Sequence, residues 1–322
     1  MKLSVLTVPL YGMPAEEAFA YLHSLGVQQV ELGCGGYPGT GHLDPKRYLG
    51  NDKAIAELKE SLEKNELSIS ALSCHGNAVH PNREIAAAYH QDFVNACQLA
   101  KALDVHTIVT FSGCPGDCPE SQRPNWVTCA WPTDYAETLE WQWNEVLIPY
   151  WKEAAALAQS YGVERIAFEM HPGFCVYNPK TMWRLREAVG EILGANFDPS
   201  HLIWQGMDPV AALRECKGAL YHFHAKDTKV DAQNTAKYGV LDTTPLDRIP
   251  ERSWAFCTIG YGTDVSVWKA MMSELVKLGY DGAVSIEHED GLMTGKEGLE
   301  KAIRFLQDIM IFERNDEEMF WA

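Results

Sequence analysis

The sequence predicts a single (β/α)8 barrel over residues 1–322, with long loops at its C-terminal face. Three observations predict it. Short apolar runs alternate with segments of helical spacing, and strict β/α alternation implies a parallel sheet. Eight such units in 322 residues suit a closed barrel. The first strand runs into "TVPLYGMP", where a doubly wound dinucleotide-binding sheet would need G-x-G-x-x-G.

The elements follow in order. Strand one is "KLSVLTV" (2–8), and 15–26 has helical spacing with a Gly stop. "QQVELG" (28–33) is strand two, the Gly-rich 33–41 is a loop, and a helix covers about 53–65. Strand three, "LSISALSCH" (67–75), alternates polar and apolar residues and ends in a histidine. A helix from about 82 to 103 leads to strand four, "HTIVTFSG" (106–113). A loop over 114–134 precedes a helix over 135–160. Strand five is "RIAFEM" (165–170), with a helix near 180–190. Strand six is "LGANFD" (193–198), and 208–216 starts helically. Strand seven is "GALYHFHAK" (218–226), followed by an insertion over 227–263 and a helix over 264–278. Strand eight is "GAVSIEHE" (282–289), and 295–310 is the closing helix.

Bulk properties narrow the function. A net charge of −17 disfavours nucleic acid and anionic membrane surfaces as partners. No apolar stretch is long enough to span a bilayer, and the N-terminal run reads as a strand, not a leader. The nine cysteines, an odd number, read as reduced thiols of a cytoplasmic protein. Cys114 and Cys118 have no second pair nearby and read as two loop thiols.

The informative feature is how the later strands end. Strand five ends in Glu169, strand six in Asp198, strand seven in His224 and strand eight in Glu287. Residues two apart on a strand share a face, so each strand can aim one such group at a common point. A carboxylate near an apolar interior is costly unless paired or metal-bound. Three carboxylates and an imidazole suit Mn2+, Mg2+ or Co2+, with Zn2+ less favoured. The alternative for Asp198, in "FDPSH", is a turn cap.

"FEMHPG", "NFDPSH", "HFHAKD" and "SIEHED" are also the stretches through which the chain resembles a family. It resembles the sugar phosphate isomerase/epimerase group of xylose isomerase-like TIM barrels, which includes ketose 3-epimerases, inosose-processing enzymes and, more distantly, endonuclease IV. The resemblance implies one divalent ion, most often manganese, held by Glu169, Asp198, His224 and Glu287. It also places His201 at the substrate. The span from His224 to Glu287 departs from the pattern, because 227–263 is inserted at the active-site end. That insertion and 114–134 should alter which substrate fits. Only part of the three-zinc histidine set of endonuclease IV is present, with His75 on strand three.

The expected chemistry is proton abstraction beside the carbonyl of a keto-sugar, through an enediolate. Glu169 and Glu287 would exchange the proton. Lys226 would hold developing negative charge, with Asp227 orienting it, and His171 would assist as an acid/base or a support. His75, Asn77 and Trp126 would line the substrate pocket, while His222 reads as a hydrogen-bonded core histidine. Trp126, Trp131, Trp141 and Trp143 either stack on the substrate or serve core or subunit contacts. Two other readings stand beside isomerisation. One is a lyase on 3-keto-glycosides, resembling the larger subunit of C-glycoside-deglycosylating enzymes, which works with a small partner chain. The other is a non-catalytic sugar-binding barrel. A homo-oligomer is compatible with either enzyme.

Overall fold

The computed structural model describes residues 1–315. Its strands are β1 (Lys2–Leu6), β2 (Gln29–Gly33), β3 (Ser68–Ser73), β4 (Thr107–Thr110) and β5 (Arg165–Glu169). They continue as β6 (Leu193–Phe197), β7 (Leu220–Ala225), β8 (Asp227–Val230), β9 (Trp254–Cys257) and β10 (Ala283–Ile286). Strands β1 to β7 and β10 form a closed parallel barrel in chain order, sealed where β1 pairs with β10. β8 and β9 form a separate antiparallel hairpin.

The outer helices are those the spacing predicts, within a few residues. Their ends have local causes. Asn82 accepts the backbone N–H groups of Glu84 and Ile85 to start Arg83–Leu103. Asn178 and Thr181 form a capping box at Pro179–Val189. The closing helix Gly295–Ile309 buries Leu299, Ala302, Ile303 and Leu306 at helical spacing against the barrel. Between helices and strands lies one continuous apolar shell.

The barrel interior is different. Ala71, Val109 and Ala167 form a small apolar plug. Along each strand the next inward position is two residues on: the polar Ser73 and Glu169 follow Ala71 and Ala167, and the aromatic Phe111 follows Val109. Small plug residues leave room for long polar side chains above them.

Two segments depart from the expected elements. The helix predicted over 135–160 begins at Thr133 and contains a π turn, Gln142–Leu147. That turn buries Gln142, whose amide donates to the carbonyls of Gly116 (2.8 Å) and Asn125 (2.7 Å) and so ties down the 114–134 loop. The 227–263 insertion is folded, with the β8–β9 hairpin and a helix, Ala232–Tyr238.

Asp227 holds that insertion and does not orient Lys226 as expected. Its Oδ2 accepts from the backbone N–H groups of Gly260 (2.9 Å), Gly262 (3.1 Å) and Thr263 (3.1 Å). Gly262 approaches so closely that a Cβ there would sit 2.2 Å from the Thr228 carbonyl oxygen. A carboxylate suits this place because several converging amides stabilise its charge. Replacing Asp227 with Ala strands those donors, and chemical denaturation should show a loss of about 3 kcal/mol. A loss below about 0.5 kcal/mol would contradict the clamp.

Candidate active site

Glu169 ends β5 at the centre of the barrel mouth, with 1% of its surface exposed. Its Oε2 accepts from His75 Nε2 (3.1 Å) and His224 Nδ1 (3.0 Å), and its Oε1 accepts from His201 Nε2 (2.9 Å). Burial alone would raise its pKa, but hydrogen bonds from His201, His224 and His75 hold it well below the carboxylate range.

Asp198 does two things. Its Oδ1 accepts from Ser200 N (2.8 Å) and caps the short helix Pro199–Ile203, so the turn-cap alternative is real. Its Oδ2 has no hydrogen-bond partner among the described residues, although Lys226 Nζ and His201 Nε2 both lie 3.3 Å away. Burial raises the Asp198 carboxyl to about 7; Glu169 and Glu287 add to this and Lys226 opposes it.

His224 stands between two sets of carboxylates. Nδ1 is 3.0 Å from Oε2 of both Glu169 and Glu287, while Nε2 is 3.0 Å from Glu31 Oε1. Burial disfavours its imidazolium, but those carboxylates raise its pKa well above the ordinary value. Lys226 Nζ lies 3.1 Å from Glu287 Oε2 and 3.3 Å from Glu289 Oε2. Burial raises Glu287, and the Lys226 charge overcomes this and brings it down to about 2.

One ligand atom from each of Glu169, Asp198, His224 and Glu287 lies within 4.8 Å of the others. The quartet read from the strand ends therefore converges. Above it opens a cavity of about 420 Å3, lined in part by Glu169, His171, His75, Lys226 and Glu287. Phe111 and Phe174 form its aromatic wall, stacked with centroids 4.2 Å apart. His201 lies behind this lining, buried beside His171 at 4.0 Å between ring centroids.

Three residues expected at the substrate, His201, Asn77 and Trp126, do not line the cavity. Asn77 exchanges hydrogen bonds with the backbone of Cys114 (2.9 and 3.0 Å), which joins the loops after β3 and β4. Trp126 packs edge-on to Tyr177 in a separate groove, because Gln142 holds its loop away from the barrel mouth. Trp143 is core, with the Arg184 guanidinium over its ring, and Trp131 is 78% exposed. His222 is a core histidine, bonded to Asn196 Oδ1 at 3.1 Å.

The cavity-wall residues Phe111 and Phe174 were missed, and so were two residues outside the lining. Glu31, on β2, is fully buried; it accepts from Ser285 Oγ (2.6 Å), from Ser73 Oγ and from His224 Nε2. The signal was a lone glutamate inside the apolar run "VELG". Phe256, on β9, lies 4.7 Å from Lys226 Nζ and edge-on to His201 at 5.2 Å. Nothing in its local sequence marks it.

A model of the xylose isomerase-like TIM barrel matches residues 19–309. The chain belongs to the xylose isomerase-like TIM barrel family. The Bacillus subtilis (strain 168) protein YfiH is 35% identical over 309 residues, covering 95% of this chain and 98% of YfiH. Two solved structures share the family's barrel at low identity. One is the IOLI protein with a bound zinc atom: TM-score 0.66, 18% identity, 96% of this chain and 98% of that one. The other is D-psicose 3-epimerase with D-tagatose, from Clostridium cellulolyticum H10: TM-score 0.61, 14% identity, 96% of this chain and 98% of that one. No helix among the described residues is long and apolar enough to cross a membrane.

Proposed function

We propose that this member of the xylose isomerase-like family is a divalent-metal-dependent isomerase or epimerase acting on a keto-sugar. The observation that carries the reading is the convergent quartet Glu169, Asp198, His224 and Glu287, with Asp198 Oδ2 accepting no hydrogen bond among the described residues. The donors fit an ion: three carboxylates and one imidazole favour Mn2+, with Mg2+, Co2+ and Zn2+ also able to enter. The far nitrogen of His224 is already held by Glu31, the usual arrangement behind a metal-bound histidine.

A bound ion would supply Lewis-acid polarisation of the substrate carbonyl. The protein does the rest. Glu169 and Glu287 both reach the cavity, each 3.0 Å from His224 Nδ1, and would take and return the proton. Return to the same carbon gives epimerisation, and return to its neighbour gives isomerisation. Lys226, steadied by Phe256, supplies positive charge beside the reacting oxygens. His171 fills the cavity wall next to Glu169.

The Phe111–Phe174 wall favours a second reading, a lyase on 3-keto-glycosides, since a flat wall suits an aromatic leaving group. Release of an aglycone from a 3-keto-glycoside, tried with and without a small partner chain, would select it. A non-catalytic barrel would leave the two carboxylates that line the cavity, Glu169 and Glu287, without a task.

Metal analysis of the purified protein should return about one divalent ion per chain. Solvent-deuterium exchange into a panel of keto-sugars then tests proton transfer. No ion, even after addition, would end both enzyme readings.

The pH dependence has a definite sign. Asp198, raised to about 7, must lose its proton to ligate. His224, whose imidazolium the surrounding carboxylates favour, must give up its proton too, so metal affinity should fall by at least about tenfold per unit below pH 7. In the metal-free protein the same raised carboxyl contributes stability below its ordinary 3.8 and loses it as pH climbs to about 7. The melting-temperature gain from Mn2+ should thus be larger at about pH 7.5 than at about 5.5. An equal gain at both would remove Asp198 from the ligand set.

A further inference from the structure

The mouth of a TIM barrel commonly takes phosphate in the loops after the seventh and eighth barrel strands, on free backbone N–H groups. In this chain those are the loops after β7 and β10, and five of their amides already bind carboxylates. Gly260, Gly262 and Thr263 all donate to Asp227 Oδ2. The N–H groups of Thr258 (2.8 Å) and Leu292 (2.7 Å) donate to Asp290. The chain thus fills its own anion-binding turns with its own carboxylates.

The side chains point the same way. Lys226 is the one lysine or arginine among the residues lining the cavity. Its ammonium has three N–H donors, and three carboxylate oxygens stand within 3.3 Å of it, on Asp198, Glu287 and Glu289. Five carboxylates gather about the mouth: Glu31, Glu169, Asp198, Glu287 and Glu289. Set against Lys226 and one divalent ion, they leave a formal charge of minus two. A phosphate dianion would enter against that charge, with no unused cation to meet it. Elsewhere the lining is largely uncharged, and its stacked Phe111–Phe174 pair offers an apolar surface to the C–H face of a ring.

We infer that the substrate is electrically neutral: a ring ketone of the polyol type, carrying neither phosphate nor carboxylate. This rests on the proposed keto-sugar chemistry for its ketone, but the charge selection rests on the loops and on the carboxylates around Lys226. The guard nearest to solvent is Glu289, 53% exposed and outside the metal quartet.

Two measurements test the inference. In the first, inorganic phosphate is titrated into the Mn2+-loaded protein by calorimetry. The wild type should show no binding below about 10 mM, and E289K should bind at least ~10-fold more tightly, with its metal content unchanged. Saturation of the wild type below about 1 mM, or no gain in E289K, would overturn the charge argument. In the second, each ring ketone in the deuterium-exchange panel is run beside its monophosphate. The neutral member should exchange with a kcat/KM at least ~30-fold higher, and parity or a preference for the phosphate overturns the inference. Exchange with no member of any pair would sink the isomerase reading, and the phosphate titration would still decide the charge selection.

Discussion

Glu169→Gln should lower turnover by at least ~10²-fold in the deuterium-exchange assay. Three imidazoles point N–H or ring nitrogen at this carboxylate, and the Asn196 amide lies 3.4 Å from Oε2. A glutamine would turn an NH2 group toward at least one of those donors. The variant therefore loses a metal ligand, a base and part of a buried network together, and a stability loss of about 2–4 kcal/mol should accompany it. Glu287→Gln is the cleaner partner, since its side chain is 17% exposed and meets only His224 and Lys226. It should stay folded by circular dichroism and still lose at least ~10²-fold. Full activity in both variants would break the assignment of the proton to these two carboxylates.

Glu31→Gln should weaken divalent-metal binding by about 10–100-fold, although Glu31 is not in the quartet. Glu31 grips His224 Nε2 and is itself fixed by Ser73 and Ser285. That grip decides which imidazole nitrogen faces the ion. Burial would raise the Glu31 carboxyl, but His224 and His222 hold it far below its usual range, so it is ionised wherever the enzyme works. A glutamine of the same shape keeps the packing and removes the charge. Calorimetric titration with Mn2+ reads the effect directly. Unchanged affinity, with the fold intact, would mean that the orientation of His224 is set elsewhere.

These two predictions differ in how far the sequence reached. Glu169, Asp198, His224 and Glu287 were legible because each ends a strand whose alternation sets its facing, and because barrel order makes their strands neighbours. The alternation along the strands, apolar toward the helices and small or polar toward the barrel interior, is local, and so are the capping residues that start the helices. Asn77 and Trp126 show where such reasoning stops. Both follow barrel strands and look like pocket residues, yet one is spent on the Cys114 backbone and the other is held off by Gln142.

The sequence alone thus determined the barrel, the order of its elements and the ligand-type residues at its mouth. Those depend on periodicities of two and about 3.6 residues, which need only near neighbours. Tertiary structure alone decided the rest. His224 meets Glu31 across 193 residues of chain, Phe256 reaches Lys226 from an insertion, and Asp227 fills a turn built 33 to 36 residues later. Such contacts join side chains that share no local pattern, so only the closed barrel brings them within hydrogen-bond reach.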